Sequence, residues 1–284
     1  MPTLDPEKLQ DFIRRCLDED IGPGDHTSQA TIPADRRGVA KLLVKDRGVL
    51  CGLPVAEAVF NFLDPSCELE LLMHEGDDLE PGQVAFRIEG PIRTLLAGER
   101  LVLNTMQRLS GIAHLSRVFA QAVEGTSATV LDTRKTTPGL RFLEKYAVAV
   151  GGASNYRVGL YDWIMIKDNH VDGAGGMRAA IEGVHRYQRE RGLDLDVTVE
   201  VRDLEELATV LEVGGVRRIM LDNFDLPTLR EAVADIGDRF EAEASGGVNL
   251  ETVRAVAETG VDYVSVGALT HSYESVDLSL KMEK

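Results

Sequence analysis

Between residues 132 and 170 this chain gathers its most chemically loaded side chains. The stretch opens with Asp132-Thr133-Arg134-Lys135-Thr136-Thr137-Pro138-Gly139, passes through Asn155-Tyr156-Arg157 and closes with Ile166-Lys167-Asp168-Asn169-His170. It holds six Lys or Arg against four Asp or Glu, in a chain whose formal net charge is -16. A guanidinium offers a planar fork to a carboxylate or phosphate, and an ammonium offers a compact point charge. A cationic field inside an acidic molecule predicts a small ligand with several negative charges. Lysine placement sharpens this, because between Asp46 and Leu280 the only lysines are Lys135, Lys145 and Lys167.

Two carboxylates follow. In Val197-Thr198-Val199-Glu200-Val201, strand alternation sends the valines to one face and Thr198 with Glu200 to the other. A carboxylate directed inward needs a cation, a metal or sugar hydroxyls, since an unpaired buried charge is costly. Asp222, after Ile219-Met220-Leu221, presents the same case. Either residue can instead neutralise Lys135 or Lys167, and the two roles are compatible. Ser245-Gly246-Gly247-Val248-Asn249 is expected to follow a strand and open a helix, where glycines let backbone N–H groups approach a phosphate. Gly267, at the end of the last strand, completes that cradle.

The elements that must hold these groups change character along the chain. Residues 6–18 predict a helix on the stripe Leu9, Phe12, Ile13 and Leu17, and residues 22–28 a turn-rich loop. Strand patterns over 38–50, 68–73 and 83–90, with a helix over 54–63, suggest an antiparallel sheet carrying helices. A long helical pattern over 93–123, broken near Ser110-Gly111, marks the domain boundary. Short apolar strands then alternate with helices: 128–131, 163–166, 197–201, 218–221, 241–244 and 263–266. Repeated βα alternation implies parallel strands. Each strand ends in polar or glycine residues, which favours a barrel whose functional groups collect at one rim over an open sheet with one switch point.

Composition narrows the class. An acidic chain of 284 residues with 44% hydrophobic content suits a globular enzyme or binding protein and lacks the basic face that nucleic acid or an anionic membrane requires. No apolar run reaches the roughly 20 residues of a membrane span, and the first 20 residues do not read as a signal, so a cytoplasmic location is expected. Cys16, Cys51 and Cys67 are widely spaced without a Cys-x-x-Cys pattern, and the histidines form no zinc-like pair. The excess of Arg over Lys on an acidic background is compatible with high-salt adaptation.

Taken together, these motifs resemble quinolinate phosphoribosyltransferases. The similarity runs through Gly24-Asp25-His26-Thr27-Ser28, Glu99-Arg100, Leu109-Ser110-Gly111-Ile112-Ala113, the motif from Asp132 to Gly139, and the later strand ends. The resemblance implies an α/β protein with an N-terminal α/β sandwich domain (1–110, joined by the tail 272–284) and a C-terminal barrel of about six parallel strands (111–271). It implies transfer of phosphoribosyl from phosphoribosyl pyrophosphate to quinolinate with loss of CO2, giving nicotinate mononucleotide and pyrophosphate in NAD biosynthesis, with Mg2+ as cofactor. Arg100, Arg134, Arg157 and Lys167, with Tyr156 beside them, would hold quinolinate. Lys135 would meet the pyrophosphate, Glu200 and Asp222 the ribose and metal, and Ser245, Gly246, Gly247 and Gly267 the 5′-phosphate. The catalytic set would be Lys135, Lys167, Glu200 and Asp222. A homodimer, in some members assembled further, would place Arg100 in the neighbouring subunit's site.

One motif departs from the family. Where it usually reads Gly-Gly-Gly-x-Asn-His-Arg, this chain reads Gly151-Gly152-Ala153-Ser154-Asn155-Tyr156-Arg157. A phenol, neutral at pH 7, stands where an imidazole is usual. Other readings of the residues are a molybdenum-transport-associated relative of the same fold, an aldolase using Lys135 or Lys167 as a Schiff-base nucleophile, and a non-catalytic anion-binding protein.

Overall fold

The computed structural model describes residues 2–283, and the chain divides into two units. The first comprises Met1–Arg117, Thr137–Gly152 and Ser272–Lys284; the second comprises Val118–Thr136 and Ala153–His271.

The first unit begins with the helix Pro6–Ile21, whose entry is set by Asp5 accepting hydrogen bonds from the Glu7 and Lys8 amides and by Pro6 in the first turn. Its buried side is the expected stripe Leu9, Phe12, Ile13 and Leu17. Residues 22–28 are not all loop. Asp25 accepts from the Ser28 amide and starts a short helix, His26–Thr31. The strands are β1 (Arg37–Val44), β2 (Gly48–Val49), β3 (Glu68–Leu71), β4 (Asp78–Leu79) and β5 (Val84–Pro91). β1, β5 and β3 lie antiparallel, and Leu278–Met282 pairs with the free side of β1. Alternation along β1 buries Ala40, Leu42 and Val44, and fully buried Phe60, Phe86 and Ile88 fill the core. Each such side chain contributes roughly 1.5–3 kcal/mol.

The helix expected to break at Ser110-Gly111 runs unbroken through Ile92–Ala122. Gly111 is there for clearance, because a Cβ on it would fall 2.0 Å from the Glu274 carbonyl oxygen. Ser110 is buried and accepts from the Cys51 amide at 3.0 Å. By contacts, residues 111–117 and 137–152 belong to the first unit. The helix Arg141–Val150 is fastened within the first unit by polar contacts. Its buried Glu144 accepts from Arg108 Nε at 3.0 Å, and Tyr146 donates to Glu75 at 3.0 Å. Gly151 approaches so closely that a Cβ would lie 2.3 Å from the Ala113 carbonyl oxygen.

In the second unit the strands are β6 (Thr129–Leu131), β7 (Ile164–Ile166), β8 (Val197–Val201), β9 (Arg218–Asp222), β10 (Glu241–Ser245) and β11 (Tyr263–Ser265). Their order is β6-β11-β10-β9-β8-β7, and every pairing is parallel. This is chain order wound once around, with the last strand returning to the first. A doubly wound sheet reverses direction midway; this one curls into a barrel with a single seam between β6 and β7. At the seam Ser154 bridges to β6 alone: its amide donates to the Val130 carbonyl at 2.9 Å and its carbonyl accepts from the Asp132 amide at 3.0 Å.

Candidate active site

The parallel strands all deliver their C-terminal ends to one face, and short βα connections fix what projects there. After β8, Asp203 caps the helix Leu204–Val213 by accepting from the Glu206 amide at 2.8 Å. After β9, Asp225 caps Leu226–Ile236 in the same way, accepting from Thr228 at 2.9 Å. Over this face opens a cleft of about 900 Å³, at the upper end of the small-molecule range. Arg134, Lys135, Tyr156, Arg157, Lys167, Glu200, Asp222, Ser245, Gly246, Gly247 and Gly267 all line it. Arg100 does not; it is exposed on the first unit, where it lines a second cavity of about 480 Å³ that also takes in Arg108 and Tyr273.

The cationic wall is built for an anion. Arg134 is half-buried and its Nε has no hydrogen-bond partner. Arg157 donates to the Trp163 carbonyl at 3.1 Å. Burial, and next the charge of Arg134, hold the Arg157 guanidinium below its usual proton affinity. Crowded guanidiniums with an unused buried donor call for an acceptor from outside the chain. Lys167 is engaged differently, donating to Glu200 at 2.6 Å. Glu200 does face the interior, as its strand position predicts.

On the opposite side, three loops meet. Asn223 adopts φ 59°, the left-handed conformation that Asn tolerates best after Gly. Its amide donates to the Ser245 carbonyl at 2.9 Å, and its side chain donates to Asp222 at 2.6 Å. Gly246 has φ 95°, and a Cβ there would lie 2.2 Å from Asn223 Oδ1. Gly267 packs against Lys135 and His271, each 3.0 Å from where its Cβ would stand. One expectation fails here. The helix after Ser245-Gly246-Gly247 is only Val253–Ala257, with Thr252 as its cap, so a turn over 248–252 separates the glycines from it. Loop amides, not a helix terminus, form this end of the cleft.

The floor is a polar group inside the barrel. Tyr156 is buried, with its hydroxyl 2.6 Å from Thr198 Oγ1 and its amide donating to Asp132 Oδ1 at 2.8 Å. Burial and then the charge of Glu243 push the Tyr156 phenol well above the usual tyrosine range. Burial also raises the Glu243 carboxyl, opposed by hydrogen bonding from Ser265 and the charge of Arg218. Glu243, Arg218 and His271 carried no signal in the sequence. Asn223, directly after a strand-end aspartate, is legible as part of the polar rim.

Among the described residues no group of three or more His, Cys, Asp or Glu side chains could hold a metal by itself. Asp222 and Glu200 both line the cleft and carry the carboxylate oxygens that a hard divalent cation takes.

Comparison with known proteins agrees with this geometry. Residues 25–110 match the family described as quinolinate phosphoribosyl transferase, N-terminal domain, and residues 112–281 match the C-terminal domain of the same family. The chain is 43% identical over 297 residues to the decarboxylating quinolinate phosphoribosyltransferase 1b of Nicotiana tabacum, covering 99% of this chain and 83% of that protein. It is 42% identical over 297 residues to the chloroplastic carboxylating nicotinate-nucleotide pyrophosphorylase of Arabidopsis thaliana, covering 99% and 84%. The crystal structure of NadC from Streptococcus pyogenes superposes with a TM-score of 0.93 at 36% identity over 100% of both chains. By sequence over both domains and by fold, the chain belongs to the quinolinate phosphoribosyltransferase family.

Proposed function

We propose that this chain transfers phosphoribosyl from phosphoribosyl pyrophosphate to quinolinate, releasing pyrophosphate and CO2 and forming nicotinate mononucleotide for NAD biosynthesis. The observation that carries the reading is the crowding of Arg134 and Arg157 in the cleft, with the Arg134 Nε buried and unpartnered. A pyridine dicarboxylate supplies the acceptors these groups lack. Family membership supports the same substrates.

In this reading Arg134, Arg157 and Lys167 grip the two carboxylates over the Tyr156 ring. The glycine loops Ser245-Gly246-Gly247 and Gly267 take the 5′-phosphate through backbone N–H groups. Lys135 meets the leaving pyrophosphate. The bond from the ribosyl carbon to pyrophosphate breaks with its electron pair leaving on oxygen, and Glu200 and Asp222 stabilise the oxocarbenium character that develops. The pyridine nitrogen bonds to that carbon and becomes cationic. The adjacent carboxylate then leaves as CO2, its electron pair stays on the ring carbon beside the cationic nitrogen, and a solvent proton fills that position. No protein nucleophile is used; alignment of two polyanions supplies much of the rate. Mg2+, held by Asp222 with Glu200 and by the substrate's own oxygens, would neutralise the pyrophosphate.

A homodimer is part of the proposal, with Arg100 of a second copy completing the dicarboxylate grip. Its support is that Arg100 is exposed on the first unit. Cytoplasmic location is proposed too; no helix among the described residues is long and apolar enough to cross a membrane, and cell fractionation decides between cytosol and organelle. The aldolase reading through Lys167 loses ground, because that ammonium is held by a carboxylate at 2.6 Å, whereas a Schiff-base lysine reacts as a free amine. The test is incubation of purified protein with quinolinate, phosphoribosyl pyrophosphate and Mg2+, together with calorimetry of quinolinate binding. Formation of nicotinate mononucleotide is expected, and binding without product would leave only the non-catalytic reading.

A further inference from the structure

Beneath the cleft, β9 and β10 turn two ionisable side chains into the barrel interior, and the reaction above uses neither. Glu243 is 0% exposed and Arg218 is 4% exposed. Arg218 Nη1 lies 3.3 Å from one Glu243 oxygen and Ser265 donates to the other. The guanidinium also lies over the Tyr263 ring at 3.8 Å and the Tyr156 ring at 5.0 Å. It lies over the Trp163 ring as well, at 5.3 Å, and the Tyr156 hydroxyl stands 2.6 Å from Thr198 Oγ1. Trp163 Nε1 donates to that threonine oxygen at 2.9 Å, and the Trp163 ring meets Tyr156 edge-on at 5.7 Å.

The proton directions follow from what each group can do. An indole only donates, so Thr198 accepts from Trp163 and has its own proton to give. Thr198 thereby joins Trp163 to the Tyr156 hydroxyl, while Arg218, paired with Glu243, lies over both rings. Tyr156 is buried, and its part in the cleft is to offer a ring and to be held. What it holds is the seam. β6 and β7 share no sheet hydrogen bonds; Tyr156 follows the segment that bridges to β6, and Trp163 immediately precedes β7. Arg157 lies between them and donates to the Trp163 carbonyl at 3.1 Å, so its direction depends on that join.

We propose that Glu243 is a positioning residue for the dicarboxylate subsite: it holds Arg218 over the Tyr156 and Trp163 rings on the two sides of the β6–β7 seam, from inside the barrel, and so aims Arg157. The proposal rests on the reading of this cleft as the quinolinate site.

Trp163 is the only tryptophan of the chain, so its emission reports the seam without any turnover. Glu243→Gln keeps the shape and an oxygen acceptor while removing the charge, and Arg218 retains Glu241 at 2.7 Å. The expected result is a rise in KM for quinolinate of about tenfold, with KM for phosphoribosyl pyrophosphate within about twofold and kcat changed less. Trp163 emission in the variant should shift to the red, and its response to added quinolinate should shrink. Tyr156→Phe, which deletes a single oxygen, should move both readouts in the same direction by less, and it decides the matter if Glu243→Gln does not fold. An unchanged quinolinate KM in the folded variant, or equal rises for both substrates, overturns the proposal. Should the wild-type protein form no product, the reading of its activity falls separately. Quinolinate titrations of Trp163 emission then judge the seam: a response lost in Glu243→Gln supports it, and equal responses overturn it.

Discussion

Arg157 stands half-buried beside Arg134, and burial together with that neighbouring charge holds its guanidinium below the usual arginine range. Arg134 for its part keeps a buried Nε unpartnered. Like charges so placed repel one another, and a dianion between them reverses the sign of the interaction. The site is therefore a place where stability is spent on binding.

Arg134→Met should accordingly leave folding stability unchanged or raise it by about 0.5–1 kcal/mol. Its quinolinate affinity should fall by about tenfold to a hundredfold, the value of one or two charged hydrogen bonds. Scanning calorimetry and isothermal titration measure the two effects on one preparation. A lower melting midpoint in the variant would show that Arg134 is a structural residue.

Gly246→Ala probes the other end of the cleft. The new methyl would lie 2.2 Å from Asn223 Oδ1 at φ 95°, so either the loop or Asn223 must move, at a cost of about 1–3 kcal/mol. Because Asn223 also donates to Asp222, the loss should fall on phosphoribosyl pyrophosphate: its KM rises and that of quinolinate stays. Steady-state kinetics with each substrate varied in turn separates the two, and a rise confined to quinolinate would place the phosphate elsewhere.

Much of this arrangement is legible in sequence because it is local. Val197-Thr198-Val199-Glu200-Val201 announces its two faces by alternation, and polar residues directly after apolar runs mark one rim of a parallel sheet. What stayed hidden depends on contacts between strands. Glu241-Ala242-Glu243-Ala244 reads as an unremarkable alternating strand, and nothing in it says that Glu243 is buried against Arg218. That follows only when parallel pairing puts β9 beside β10. Ser110-Gly111 looked like a helix break for a similar reason: its glycine answers to Glu274, 163 positions away in the chain. Tyr156 was visible as a departure from the family motif, yet its contact with Thr198 and the Arg218 guanidinium over its ring were not.

The buried phenol has a consequence for pH. Its folded-state pKa lies above the ordinary tyrosine value, so Tyr156 stays protonated and neutral through the physiological range. Any stability it contributes is present below its unfolded pKa of about 10 and is lost as pH rises through the folded value. Tyr156 therefore adds no limb to kcat/KM for quinolinate between about pH 5.5 and 8. Tyr156→His should introduce one, centred near pH 6.5 before the surroundings shift it. Profiles of the two proteins measured side by side remove the titration of the substrate itself, and superimposable profiles would mean that position 156 does not influence binding.

The shared-site proposal has its own check. Neither Arg100→Ala nor Arg157→Ala subunits should turn over appreciably alone. Hybrids of the two contain one site with both arginines intact, so activity should reappear in mixed dimers and rise with the hybrid fraction. Inactive mixtures with hybrids verified by mass would place Arg100 outside the reaction.

The central claim is that two crowded guanidiniums and a lysine select a dicarboxylate whose second carboxyl is lost in the reaction. The direct measurement compares quinolinate with nicotinate as acceptor, following CO2 and nicotinate mononucleotide together. The account predicts one CO2 per nucleotide with quinolinate and little or no turnover with nicotinate, which lacks the group that Arg134 and Arg157 hold. Equal turnover with nicotinate, or nucleotide formed without CO2, would contradict it.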